Sequence, residues 1–234
     1  APVNIAIVDS GVDFSHSKLS SFAFNNSKES PNGRDDDSNG FIDDINGWNI
    51  VKDTNKVFNP EFVKTNSSIY KEIIRAFELI GKLDGGQQIS PDEKAELMGI
   101  INNNSDALDV FGTVVHGTHC AGISTQNNPA VKVVAVKMLG NEEATEIPNP
   151  IPDSGGWENL EQQIEKLIDD SSKEFQYMTK FLNTQNIKVI NASWGMNELN
   201  AANMFKAGLP GYTDEEYAKL AKYYQKRNYK IASL

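Results

Sequence analysis

The sequence predicts an α/β fold built on a mostly parallel sheet. Two short apolar runs rich in valine and isoleucine, at residues 3–9 and 131–138, have the length and composition of buried parallel strands. A long amphipathic segment from about Trp157 to Thr184 follows the second run and precedes a third run at 189–190. Strand, long helix and strand in this order form the right-handed crossover unit of parallel sheets.

The first predicted strand ends in a carboxylate. Residues 3–9 read Val-Asn-Ile-Ala-Ile-Val-Asp, and Ser10 and Gly11 follow. Ligands and catalytic groups of open α/β sheets gather at the carboxyl ends of the strands. Asp9 is therefore expected at the edge of the sheet where ligands bind and catalytic groups lie.

Two of the chain's three histidines lie close together among small residues, in the stretch 114–124. The small residues Gly117, Ala121 and Gly122 predict a helix that packs closely at its N-terminal turn and holds the His116 side chain at a cleft. A buried helix whose histidines only satisfy hydrogen bonds is the alternative interpretation. The third histidine, His16, is expected to be structural or exposed.

The Asp-Ser-Gly-Val-Asp motif at residues 9–13 and the His-Gly-Thr-His-Cys-Ala-Gly motif at 116–122 together resemble the subtilisin-like serine proteases, or subtilases. The cysteine variant of the second motif is similar to the proteinase K branch. The resemblance implies a three-layer α/β fold with a doubly wound, mostly parallel sheet. It also implies that His116 is the general base for a serine hydroxyl and that Asp9 is the buried carboxylate that fixes the tautomer of the imidazole.

A third segment, 189–195, extends the resemblance. It reads Val-Ile-Asn-Ala-Ser-Trp-Gly, and in the family such a strand ends in a Ser-x-Gly edge that pairs with the substrate backbone. The resemblance therefore implies Ser193, Trp194 and Gly195 as substrate contacts. Ser193 is not expected to be the nucleophile, because its position in the motif is the substrate-binding one.

The family's nucleophile segment is missing from the sequence. No Gly-Thr-Ser occurs in the 234 residues, and no Ala-Gly-Asn, which in the family supplies a side-chain donor of the oxyanion hole. Both segments lie downstream of the substrate strand in the family. We therefore expect the N-terminal part of a subtilase catalytic domain, inactive alone, whose parent is a serine endopeptidase acting through an acyl-enzyme.

An acidic loop follows the first predicted strand. Asp35, Asp37 and Asn39, with the glycine that follows, reproduce the first six positions of an EF-hand-type calcium loop, in which hard oxygen ligands suit Ca²⁺. Position twelve is Asn46 instead of a bidentate glutamate, so a structural calcium loop without EF-hand helices is expected. A solvated acidic turn is the alternative. The segment also resembles a stretch found in several bacterial subtilases.

Residues 51–109 are interpreted as a helical insertion, because compact subtilases have a much shorter segment between their aspartate and histidine motifs. Apolar residues at helical spacing predict a first helix over about 67–83. These are Ile69, Ile73, Ile74, Phe77 and Ile80. Ser90 and Glu93 form a capping-box pattern around a proline and predict a second helix, which ends near 102–104. A structural hairpin is expected; a lid or a contact for a prodomain is the alternative.

Composition and charge limit the classes of protein and of partner that the chain can represent. A hydrophobic fraction of 39% and a charged fraction of 23% are typical of a soluble globular protein, and a single domain over residues 1–234 is expected. The net charge of -10 argues against binding to nucleic acid. The lone cysteine, Cys120, excludes an internal disulfide, and no apolar run approaches the roughly 20 residues that span a bilayer. The family implies secretion or a cell-surface location, a polypeptide substrate, and a prodomain or the missing C-terminal part as partner.

Two other classes of function remain open. A non-catalytic subtilase-like module would still bind extended peptides at 193–195. A zinc hydrolase would use His116, His119, Cys120 and Asp9 as ligands. Its two histidines are spaced i, i+3, whereas zinc proteases space them i, i+4 with a glutamate after the first.

Overall fold

The computed structural model describes residues 2–60, 69–139, 157–194, 198–208 and 211–232. Its strands are β1 (Val3–Asp9), β2 (Gly47–Asn49), β3 (Val131–Lys137) and β4 (Val189–Asn191). Its helices are α1 (Tyr70–Asp84), α2 (Pro91–Thr125), α3 (Trp157–Thr184), α4 (Glu198–Gly208) and α5 (Asp214–Ala232). The strands at 3–9 and 131–138 and the helix at 157–184 lie where the sequence predicts them.

The four strands form one parallel sheet in the order β2-β3-β1-β4. β1 is an interior strand, with β3 on one side and β4 on the other. The register places Asp9 at the carboxyl end of β1, opposite Lys137 of β3. The predicted α/β class with a parallel sheet is confirmed.

Both faces of the central strands are covered. Residues 6–8 of β1 and 133–136 of β3 are almost completely buried. Consecutive residues of a strand point to opposite faces, so burial of each of them requires cover on both sides. Cys120 and Ala121 of α2 pack into the same apolar cluster as Ile7 of β1. The helix that carries His116 therefore lies against the sheet.

Helices α1 and α2 pack as a hairpin around one apolar cluster. Its buried members are Ile73, Ala76, Leu79, Leu97, Ile100 and Leu108. The predicted capping box is confirmed: the backbone N–H of Glu93 donates to Ser90 Oγ (3.1 Å), and the backbone N–H of Ser90 donates to Glu93 Oε2 (2.9 Å). Of the apolar residues whose spacing predicted α1, Ile73 is buried, whereas Ile74 and Phe77 are 50% and 40% exposed.

The predicted end of the second helix near 102–104 coincides with a break inside α2. Asn104 has non-helical backbone angles (φ -136, ψ 26), and a second helical stretch follows it to Thr125. The Asn104 amide donates to the Ile100 carbonyl (3.3 Å), before the break, and to Glu72 Oε2 of α1 (2.9 Å). His116 consequently lies well inside α2, and its predicted place in an N-terminal helical turn is wrong.

The chain divides into two compact units, Ala1–Glu142 with Ile187–Ala192, and Glu143–Asn186 with Ser193–Leu234. The second unit has its own core, formed by Ala201, Phe205, Tyr217, Leu220 and Ala221 of α4 and α5. A single domain over 1–234 with an insertion at 51–109 stays a prediction.

Candidate active site

Asp9 is held rigidly at the end of β1. Its side chain is completely buried, and its Oδ1 accepts a hydrogen bond from the backbone N–H of Ser10 (2.8 Å). Its backbone carbonyl accepts from the N–H groups of Met138 (2.8 Å) and Leu139 (3.1 Å), just beyond β3. Hydrogen bonds to the backbone therefore fix both the main chain and the carboxylate of Asp9, independently of any contact with His116.

His116 contacts this carboxylate from α2. Its Nδ1 lies 2.8 Å from Asp9 Oδ1 and 2.9 Å from Oδ2. An ionised carboxylate only accepts hydrogen bonds, so Nδ1 carries the proton and Nε2 keeps its lone pair. The His116 side chain is 42% exposed, whereas Asp9 is buried. The pair thus has a buried orienting carboxylate and an imidazole that a reactant can reach.

Glycine at position 117 lets α2 approach β1 this closely. A Cβ there would overlap the carbonyl oxygen of Gly11 and lie 3.0 Å from the Cβ of Asp9. Overlap with a backbone atom cannot be relieved by a side-chain rotation. The small residue beside His116, predicted to allow close packing, thus packs against the loop that follows β1.

Two hydroxyls join the same segments, and sequence reasoning missed both. Ser10 Oγ accepts from the backbone N–H of Gly117 (3.1 Å) and donates to the carbonyl of Val114 (3.4 Å). Thr118 Oγ1 accepts from the backbone N–H of Asp13 (2.9 Å). The only signal in the sequence was that both hydroxyls belong to the two motifs, which does not show what they bind.

Cys120 completes a cluster of three possible metal ligands. Its Sγ lies 3.8 Å from Nδ1 and 4.0 Å from Nε2 of His116. Ligand atoms of Asp9, His116 and Cys120 all lie within 4.8 Å of one another. His119, the fourth ligand of the zinc alternative, is exposed and does not belong to this cluster.

The predicted substrate segment follows β4, which pairs in parallel with β1. Ser193 is exposed, and Trp194 is half-buried, with its ring 6.0 Å from that of Phe175. These two residues belong to the second compact unit. Gly195 lies outside the described residues.

The acidic loop brings two of the three predicted ligands together with a third carboxylate. Carboxylate oxygens of Asp35 and Asp37 converge with those of Glu29, all within 4.8 Å of one another. The Asn39 side chain donates to Asp44 Oδ2 (2.9 Å) and accepts from the N–H of Phe41 (2.8 Å). Glu29 was missed because it precedes the calcium-loop pattern in sequence.

The loop concentrates negative charge around a buried acid. Asp44 is fully buried, and burial raises its pKa above the ordinary value. Hydrogen bonds from Asn26 and Asn39 oppose this shift, and the nearby charges of Asp37 and Glu29 add to it. Hard oxygen donors gathered in this way suit Ca²⁺.

Comparison with known proteins identifies the family of the chain. The model of the subtilase family, peptidase family S8, matches residues 2–230. No curated protein matches the chain significantly. Within the part of the chain that the structure describes, none of the helices is long and apolar enough to cross a membrane. With a family match over nearly its whole length, the chain belongs to the subtilases, which are serine peptidases with a three-layer α/β fold.

Proposed function

We propose that Asp9 and His116 are the orienting carboxylate and the general base of a serine endopeptidase. The observation that carries this proposal is the 2.8 Å contact between His116 Nδ1 and Asp9 Oδ1 at the carboxyl end of an interior parallel strand. A buried carboxylate on Nδ1 fixes the tautomer in which Nε2 can accept a proton.

The reaction follows from this arrangement. His116 Nε2 takes the proton of a serine hydroxyl as the serine oxygen bonds to the scissile carbonyl carbon of a polypeptide. Asp9 stabilises the imidazolium that results, and the imidazolium then protonates the leaving amine. Water repeats the sequence on the acyl-enzyme and regenerates the serine.

The nucleophile has to come from outside these 234 residues, which contain no Gly-Thr-Ser segment. We propose that the chain alone is inactive for this reason. Ser193, Trp194 and Gly195 are proposed as contacts for an extended substrate, on the strength of their position directly after β4.

Mutation of the pair tests the assignment. In a protein that includes the nucleophile segment, His116→Ala and Asp9→Asn should each lower kcat by about ten-thousandfold or more, as for other triads of this kind. His16→Ala is the matched control, because His16 is exposed and bonds locally, through Nδ1, with the N–H of Lys18 (3.3 Å). Near-normal turnover of either first variant, with the fold retained by circular dichroism, would overturn the proposal.

Two further histidine and serine variants separate the alternatives. A zinc enzyme would lose activity on removal of zinc, and a fourth ligand at His119 would make His119→Ala defective. A full-length protein without any Gly-Thr-Ser segment would favour a non-catalytic peptide-binding module. It would bind extended peptides with an affinity that falls on mutation of Ser193, and no longer form of the protein would show turnover.

We also propose a structural calcium site in the acidic loop. Glu29, Asp35 and Asp37 would supply the carboxylate ligands, and their convergence within 4.8 Å supports this. The hydrogen bond between the half-buried side chain of Asn39 and the buried side chain of Asp44 would maintain the shape of the loop. Bound calcium would offset the mutual repulsion of the carboxylates and cross-link the loop.

Secretion or a cell-surface location belongs to the same proposal, as does a prodomain or C-terminal segment as partner. Family membership supports both. Fractionation of cells that produce the full-length protein would test the location, and retention in the cytosol would contradict it.

A further inference from the structure

The hydroxyl of Ser10 occupies a position that the reaction does not explain. Ser10 is only 1% exposed, so its hydroxyl is shielded from solvent. It accepts from the N–H of Gly117 (3.1 Å) and donates to the carbonyl of Val114 (3.4 Å). These two backbone groups lie on either side of His116 in the sequence. Ser10 is thereby attached to the helical turn that presents the imidazole.

The backbone of Ser10 holds the other member of the pair. Its N–H donates to Asp9 Oδ1 (2.8 Å), the same oxygen that lies 2.8 Å from His116 Nδ1. One residue thus fixes both ends of one hydrogen bond, the carboxylate through its amide and the helix through its side chain. Burial makes such bonds expensive to lose, because no water replaces a missing partner.

Packing and hydrogen bonds set the distance between this turn of α2 and the end of β1, with Cys120 and Ala121 in the apolar cluster one turn further along. Glycine at 117 lies against the carbonyl of Gly11, so this close contact prevents α2 from moving inward. It does not prevent α2 from moving outward. The hydrogen bonds of Ser10 Oγ oppose outward movement of α2, together with the bond from the Asp13 N–H to Thr118 Oγ1.

We propose that Ser10 is a positioning residue, whose side-chain hydroxyl keeps His116 Nδ1 at hydrogen-bonding distance from Asp9. This inference rests on the proposed roles of Asp9 and His116. Without the hydroxyl, Val114 and Gly117 would relax away from β1, and the imidazole would sample orientations in which Nδ1 faces solvent. The tautomer required of a general base would then be only partly populated.

The test measures the hydrogen bond itself, in the ¹⁵N-labelled 234-residue chain. Long-range ¹H–¹⁵N spectra of the imidazoles report the tautomer, and a far-downfield proton reports Nδ1–H bonded to a carboxylate. His116→Ala assigns the signals. Ser10→Ala should lose the downfield proton or raise its solvent exchange rate by about tenfold, the effect of removing one typical hydrogen bond. Ser10→Thr, which keeps the hydroxyl, should restore it.

Ser124→Ala is the matched control. Ser124 lies on the same helix, and its hydroxyl also donates to a backbone carbonyl, that of Cys120 (2.9 Å), but within the helix. It should leave the His116 signals unchanged. If Ser10→Ala does not fold, Ser10→Cys keeps the side-chain volume with much weaker hydrogen bonding and decides the question by the same signals.

The outcomes separate this inference from the proposed function. An unchanged downfield proton in a folded Ser10→Ala or Ser10→Cys chain would overturn the role of Ser10 and leave the Asp9–His116 pair intact. Absence of that proton from the wild-type chain would instead contradict the pair, and with it the proposed function.

Discussion

Gly117 sets how closely α2 approaches the loop after β1. A side chain at this position would overlap the carbonyl oxygen of Gly11, which belongs to the backbone and cannot rotate away. The neighbouring residue in the sequence is His116, so a helix that moves outward carries the imidazole away from Asp9. Packing at Gly117 therefore also affects the distance between His116 and Asp9.

Replacing this glycine should affect stability and the site together. Gly117→Ala should destabilise the chain by about 1–3 kcal/mol, as overpacking usually does, and weaken the His116 signals described above. Gly122→Ala, on the same helix but with nothing within 4 Å of the added Cβ, should be stabilising by roughly 0.5–1 kcal/mol. Urea unfolding measures both. Equal effects of the two variants would contradict the close contact at Gly117.

Individual residues of the candidate site differ in whether the sequence could predict their contacts. Asp9 and His116 could be predicted because each belongs to a short motif whose residue types imply a task. The bridging role of Ser10 depends on which backbone groups of α2 lie above it, and only the fold determines that. Glu29 is similar, because its carboxylate joins Asp35 and Asp37 through the path of the loop and not through spacing.

The hairpin of α1 and α2 shows which features of a helix can be predicted from local sequence patterns. The start of α2 was predictable, since a capping box is a local pattern whose two hydrogen bonds involve only Ser90 and Glu93. The break at Asn104 was predictable too, because a run of asparagines favours a helix end, and here the Asn104 side chain donates to the Ile100 carbonyl and to Glu72 of α1. The sequence did not predict that a second helical stretch would follow the break directly and continue to Thr125.

Acid should weaken the hairpin through Glu93. Hydrogen bonding to Lys82 Nζ (2.7 Å), with further help from the Ser90 N–H, lowers the pKa of Glu93 from 4.5 to about 2. A carboxyl whose pKa is lower in the folded state stabilises that state above its unfolded pKa. Its contribution should therefore be complete above pH 4.5 and disappear as the pH falls towards 2.

Comparison of variants isolates this contribution. The difference in unfolding free energy between wild type and Glu93→Gln should be measured from about pH 5 to about pH 2.5. It should shrink as the pH falls from 4.5 towards about 2, which are the unfolded and folded pKa values of Glu93. Added salt should reduce it, since the group lies near solvent. Asp92→Asn, in the same first turn, is the control. A difference that stays constant over this range would contradict the assignment to Glu93.

The acidic loop should respond to calcium. At a calcium concentration a hundredfold above Kd, linkage predicts a stabilisation of about 2.7 kcal/mol. Glu29→Gln and Asp35→Asn should each reduce the calcium-induced rise in Tm. Asp36→Asn should not, because Asp36 instead accepts from Ser30 N–H (3.2 Å) and Asn32 Nδ2 (2.8 Å).

An unchanged calcium response of the Glu29→Gln chain would remove the proposed site. Magnesium at the same concentration serves as the ion control, since it prefers a stricter octahedral geometry with several retained waters. A response to both ions alike would indicate general screening of the net charge of -10.

At the scale of the whole molecule, the site depends on long-range assembly. Asp9 and His116 are 107 residues apart in sequence, and β1, which carries Asp9, pairs with β3 and β4 from distant parts of the chain. The sequence predicted the α/β class because parallel strands carry a strong apolar signal. It did not predict the division into two compact units.

We have proposed that this chain supplies the base and the orienting carboxylate of a serine peptidase, while the nucleophile lies outside the 234 residues. Intact mass after incubation with a fluorophosphonate probe tests it most directly. The 25.8 kDa chain alone should remain unlabelled. A protein that also contains the nucleophile segment should take up one label, and His116→Ala should abolish the uptake. Label on the 234-residue chain, or labelling that does not depend on His116, would contradict the account.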